Sequence, residues 1–161
     1  LKDSGIKMSI VLADNPKDNS LEGKMQILEE ALALADQGGI TKPLIDTAIP
    51  AFEPTMGTAV RAIPIIKEKF GHPTGLGSGN VVTTMGWVKT NFEKQFRYGT
   101  RTATNAIMQT MGANWLMFGP VEQADYVFPA VAITDAYVAS AMGDLGIRPL
   151  EETHPIYKIF L

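Results

Sequence analysis

The sequence predicts an α/β fold: four strand–helix units of a parallel sheet, about half of what a closed (β/α)8 TIM barrel needs. Three observations carry this. Short apolar runs alternate with longer amphipathic segments along the 161 residues. Each apolar run stops at Gly, Pro, Asp or Asn, residues that turn the chain. The polar residues with chemical potential gather at the C-terminal ends of those runs, where parallel α/β folds bind their ligands.

Lys7–Ala13 (KMSIVLA) is the first strand, closed by Asp14, Asn15 and Pro16. Asn19, with Glu22 three residues later, forms a capping box for the following helix. In that helix Met25, Leu28, Leu32 and Ala35 keep a 3-4-3 spacing, and Gly38-Gly39 stops it. Pro43–Ile49 is the second strand, with Asp46 inside an apolar run. A loop with Pro50, Pro54 and Gly57 leads to a helix over Thr58–Phe70, in which Pro64 is a kink or the true first turn. The third strand, Pro73–Leu76, breaks into Gly77-Ser78-Gly79-Asn80. Helices follow over Thr83–Gln95 and Thr102–Met111, then a strand at Trp115–Phe118 stopped by Gly119-Pro120. An Ala-rich helix over Ala124–Met142, or a shorter one with Pro129 in its first turn, precedes a tail from Arg148 to Leu161. The chain opens on Leu1 with a helix tail running into a strand, which points to a piece of a longer protein.

Composition narrows the function. With 45% apolar and 19% charged residues and a formal net charge of −3, there is no electrostatic footprint for nucleic acid. No apolar run reaches membrane-spanning length, and no secretory signal pattern is visible, so a cytoplasmic location is expected. The absence of cysteine excludes disulfides, thiolate nucleophiles and thiolate metal sites. His72 and His154 stand alone, so no metal site is expected. Ser78 lacks the G-x-S-x-G context and the partners of a hydrolase nucleophile. The last helix is apolar on most faces (Val127, Phe128, Val131, Ile133, Tyr137, Met142), which predicts burial within this chain or in a homo-oligomer.

Asp14 and Asn15 end the first strand, Asp46 lies near the end of the second, Asn80 follows the third and Gly119 ends the fourth. A carboxylate in a buried strand costs several kcal/mol, as an order of magnitude, unless it is paired or hydrogen-bonded. A ring offering two adjacent N–H donors, such as a 2-amino-pyrimidinone, would satisfy Asp46; a structural bond to a neighbouring loop is the alternative. Gly75 to Asn80 is glycine-dense, for close ligand approach or for a sharp turn, and it is no P-loop. The Asn80 amide both donates and accepts, which suits an atom that changes protonation, or simply a turn.

Three blocks go further: Leu44-Ile45-Asp46-Thr47-Ala48-Ile49-Pro50, Gly75-Leu76-Gly77-Ser78-Gly79-Asn80, and Gly112-Ala113-Asn114-Trp115-Leu116-Met117-Phe118-Gly119-Pro120-Val121-Glu122. With the tail His154-Pro155-Ile156-Tyr157-Lys158, they resemble the H subunit of tetrahydromethanopterin S-methyltransferase. The bacterial methyl-corrinoid:tetrahydrofolate methyltransferases look equally similar. The resemblance implies a pterin-binding barrel of which this chain supplies strands five to eight. It implies Asp46 on the pyrimidine ring of the pterin and Asn80 beside N5, with Asn15, Gly77 and Gly79 as further pterin contacts. It also implies methyl transfer between tetrahydromethanopterin or tetrahydrofolate and a corrinoid carried by a partner protein, with no membrane span but possible association with a membrane complex. Two rivals stand: a dihydropteroate-synthase-like enzyme, disfavoured because Pro73–Asn80 and Trp115–Glu122 contain no Lys or Arg, and a non-catalytic half-barrel that docks a corrinoid protein.

Overall fold

A computed structural model describes residues 2–49 and 55–159. Pro50 and Pro54 of the expected loop, and the last two residues of the tail, lie outside the described residues. After a 3-10 turn at Lys2–Ser4 come β1 (Met8–Leu12), α1 (Leu21–Gln37), β2 (Lys42–Asp46), α2 (Thr55–Phe70) and β3 (Thr74–Leu76). Then follow α3 (Ser78–Thr84), α4 (Gly86–Asn91), α5 (Arg97–Thr110), β4 (Trp115–Leu116), a 3-10 turn at Val121–Gln123, α6 (Ala124–Gly143) and α7 (Ile156–Ile159). The four strands form one parallel sheet in chain order, β1-β2-β3-β4. This is the expected α/β alternation, consistent with part of a barrel.

Period-two alternation sorts the sheet into two faces. Val11, Ala13 and Ile45 turn towards the helices and pack with Leu28, Ala62 and Ile66 into one core cluster. Leu76 joins Ile63 and Met108 in a second. Full burial of such side chains stabilises by about 1.5–3 kcal/mol each, so the helix layer on this face holds the unit together. On the other face Met8, Ile10 and Leu12 remain 44–55% exposed. That face is open along β1, whereas Asp46 and Gly75, the latter against the Trp115 ring, are buried; among the described residues β1 and β4 are the sheet's unpaired edges.

Several boundaries differ from the sequence expectation for physical reasons. β2 ends at Asp46 rather than Ile49, because Ala48 takes a left-handed conformation (φ 52°) and its N–H turns back to Asp46 Oδ1 at 2.8 Å. The α1 cap is Ser20 rather than Asn19: Ser20 Oγ accepts from Gly23 N at 3.1 Å. The helix expected over Thr83–Gln95 is two short helices, parted by Met85 in an extended conformation, and the first begins directly after β3. Asn80 therefore sits in a first helical turn. α5 starts at Arg97, earlier than Thr102.

Pro64 and Pro129 both lie inside their helices, so neither marks a first turn. Within this chain α6 is buried along one stripe only, so of the two coverings expected for its apolar faces, burial within the chain is not the one found. Val127, Ala136 and Ala139 are buried, whereas Phe128 and Tyr137 are more than 60% exposed. Only one stripe packs on α5, where Gln109 Nε2 donates to Val131 O (3.1 Å) and to Asp135 Oδ1. Among the described residues no helix is long and apolar enough to cross a membrane.

Candidate functional site

Parallel strands that share one direction bring their C-terminal ends together, and a pocket of about 240 Å³ lies there. Leu12, Asp14, Asp46, Ala48, Ile49, Gly77 and Asn80 line it. Asp46 ends β2 and is only 7% exposed. Its carboxylate accepts hydrogen bonds from the backbone N–H groups of Ala48 and Gly77. A carboxylate offers about four acceptor positions, so these two bonds fix its orientation and leave capacity for a ligand. Burial pushes the Asp46 carboxyl above the ordinary aspartate range, and nearby Asp14 pushes the same way. The two backbone bonds and the charge of Lys24 oppose that rise.

Gly77 is the hinge of the arrangement. A Cβ there would lie 3.6 Å from Asn80 Nδ2, 3.9 Å from Asp46 Oδ2 and 3.4 Å from Met117 Cε. The two polar side chains therefore flank a space that glycine keeps open. Asp46, Gly77 and Asn80, three of the residues singled out from the sequence, are thus brought to one pocket.

The other two are not. Asn15 turns away: its Nδ2 donates to Gly23 O at 3.2 Å and its Oδ1 accepts from Lys17 N at 3.1 Å. An Asx-type turn uses up this side chain to dock the loop on α1, and Asp14 faces the pocket instead. Gly79 is buried where α3 meets the end of β4, and a Cβ there would come within 2.6 Å of Gly119 backbone atoms. Its place is in close backbone packing rather than in the pocket lining. Ser78 is likewise committed, its hydroxyl donating to Asn105 Oδ1 at 2.7 Å.

Beneath the pocket lies a residue that no sequence motif marks. Lys24, in the first turns of α1, has no exposed surface. Its Nζ donates to the carbonyl oxygens of Ala13 (3.2 Å), Thr47 (2.9 Å) and Ala48 (2.9 Å). One ammonium thus ties the end of β1 to the turn after β2, and holds Ala48 in its left-handed conformation from the carbonyl side. Burial lowers the Lys24 pKa, against the attraction of Asp14 and Asp46. A signal was present: Lys24 falls on the apolar stripe of Leu21, Met25 and Leu28, in a helical first turn that disfavours a cation. Asn105 is a second such residue. It is fully buried one turn from Met108, a polar residue on a core-facing stripe.

Residues 1–150 match the family described as "Tetrahydromethanopterin S-methyltransferase MtrH subunit". The chain is 34% identical to the H subunit of tetrahydromethanopterin S-methyltransferase from Methanopyrus kandleri, over 96% of this chain and 54% of that protein. It is 35% identical to the corresponding protein of Methanocaldococcus jannaschii and 36% identical to that of Methanococcus aeolicus. Each of these two matches covers 99% of this chain and 56% of the relative. The chain therefore spans about half the length of the curated relatives it matches. With its parallel strands, the pocket at their ends and these matches in agreement, the chain belongs to the MtrH family of tetrahydromethanopterin S-methyltransferase subunits.

Proposed function

We propose that this chain carries the pterin-holding part of a methyltransferase that moves a methyl group between N5 of a tetrahydropterin and the cobalt of a corrinoid on a partner protein. The observation that carries the reading is the convergence of Asp46, Gly77 and Asn80 on one pocket at the strand ends. Tetrahydromethanopterin, named in the relatives, is the first choice of carrier, and tetrahydrofolate the second. In this reading β1 to β4 are the last four strands of a (β/α)8 barrel. The exposed apolar side chains of β1 and the two unpaired edges support it. The exposed Phe128 and Tyr137 of α6 suit a contact between protomers.

The donor set fits a pterin ring. Ionised Asp46, already oriented by two backbone bonds, accepts two adjacent N–H groups from the pyrimidine end. Asn80 lies across Gly77, where its amide can accept from a protonated N5 or donate to an unprotonated one. A nitrogen anion leaves badly, so N5 must carry a proton as the methyl departs, and Asn80 stabilises that state as charge develops. The docked corrinoid supplies the metal that receives or gives the methyl. The residues described bind and orient the pterin and stabilise its protonated N5; none forms a covalent bond with the substrate.

Calorimetric titration with methyl-tetrahydromethanopterin and methyl-tetrahydrofolate tests the reading. Asp46→Ala removes two charge-assisted bonds and should weaken binding by roughly a hundredfold or more. Asn80→Ala should slow methyl transfer far more than it weakens binding. Saturable binding that survives Asp46→Ala would overturn the assignment, and equal losses of binding in both variants would remove the division of roles.

The pH dependence has a definite sign. Two N–H donors need the ionised carboxylate, so affinity should rise with pH through a midpoint above the ordinary aspartate value. Folding stability carries the opposite sign. A raised native pKa means that the native state binds the Asp46 proton more tightly than the unfolded chain. The contribution of this group is full below the ordinary value and declines as pH rises to the native one. Affinities measured across the acid range check this; a midpoint at or below the ordinary aspartate value rejects it.

A further inference from the structure

A second cleft, of about 400 Å³, lies between the start of α5 and the turn after β4. Lys94, Arg97, Tyr98, Arg101, Glu122 and Gln123 bring three cations and one carboxylate to it. Among the described residues none of these cations forms an ion pair. The guanidinium of Arg97 is held by the carbonyls of Phe92 and Lys89, both at 3.0 Å. Arg101 Nη2 donates to Thr83 Oγ1 at 2.8 Å, while its Nε is buried without a partner. Gln123 is only 2% exposed, and its Oε1 has no partner either.

Orphaned buried polar atoms ask for an explanation, and an absent ligand is one. The cleft wants an anion for its cations and, beside that anion, an O–H or N–H donor for Gln123. We infer that the cleft lined by Lys94, Arg97, Arg101 and Gln123 is an anion subsite for hydrogen phosphate, distinct from the pocket at Asp46. A phosphate dianion balances the net charge of the cleft. Its guanidinium and ammonium contacts are of the strong, charge-assisted kind, and its remaining proton gives Gln123 Oε1 the donor it lacks. Sulfate, with the same shape and charge and no proton near neutral pH, lacks that donor. The inference stands without the pterin reading, because none of its residues lines that pocket.

Calorimetric titration of the chain with inorganic phosphate and with sulfate, in a buffer free of both, tests it. Saturable phosphate binding is expected, about tenfold tighter than sulfate. Lys94→Ala, which removes an exposed side chain, should weaken both ions. Gln123→Met should erase the preference between them. Asp46→Ala should leave both affinities unchanged, so failure of the pterin assignment and failure of this one are separable. Repeating the methyl-pterin titration in saturating phosphate should leave the pterin affinity unchanged, because the two clefts share no residue, and competition between the two ligands would overturn the separateness of the site. Absence of saturation by phosphate overturns the inference, as does phosphate binding that Lys94→Ala and Arg97→Gln both leave undiminished.

Discussion

Lys24→Met should lower folding stability by about 3 kcal/mol and also move the pH profile of ligand binding. The first effect follows from what the ammonium leaves behind. Three carbonyl groups, those of Ala13, Thr47 and Ala48, lose their shared donor, and Ala13 and Thr47 have no access to water. An unsatisfied buried polar group costs about 1–3 kcal/mol. Relief of the buried charge offsets part of that sum, which keeps the net near the lower half of the total. The second effect comes from charge. Lys24 opposes the upward push of burial on Asp46, so its removal should carry the Asp46 midpoint higher still. Denaturant titration reads the stability, and affinity against pH reads the midpoint. A variant that loses stability while keeping the wild-type midpoint would reduce Lys24 to a purely structural tie.

Gly75→Ala should be worse for the fold. Gly75 pairs with both Asp46 and Trp115, and a Cβ on it would stand 2.0 Å from Trp115 O and 2.7 Å from the Trp115 ring. The first obstacle is backbone, so no rotamer change removes it. β3 and β4 would have to separate, and their ladder has only two registered pairs to lose. Overpacking costs about 1–3 kcal/mol where side chains can give way; here about 3 kcal/mol or more is expected. Thermal and denaturant melts of the variant beside the wild type check this, and near-native stability would contradict the closeness of the two strands.

The sequence made the alternation of elements legible because buried parallel strands are short apolar runs and their helices carry a 3.6-residue stripe. It made Asp46 and Asn80 legible because polar residues at strand ends are few. Element ends were less readable. The second strand loses three residues to the bond between Ala48 N and Asp46 Oδ1, a tertiary choice with no marker in the local pattern. Met85 splits a segment whose apolar spacing reads as continuous. Asn15 and Asp14 are neighbours at one strand end, and which of them faces the pocket is decided by a loop that closes on Gly23 O. Lys24 is hidden by habit: a lysine in an amphipathic helix reads as solvated unless its place on the stripe is checked.

β3 is three residues long, and its ladder with β2 has two registered pairs, Ile45 with Thr74 and Asp46 with Gly75. Side chains alternate faces along a strand, so a slip of one residue would send Asp46 into the helix layer, or bring Gly77 into it in place of Leu76. The fully buried Ile45, Thr74 and Leu76 oppose such a slip, and the bonds from Ile45 N to Pro73 O and Thr47 N to Gly75 O add to the seam. A small molecule gripped at once by Asp46 and Asn80 would act as a splint across the seam. By binding one register only, it would add to the stability of that register by mass action.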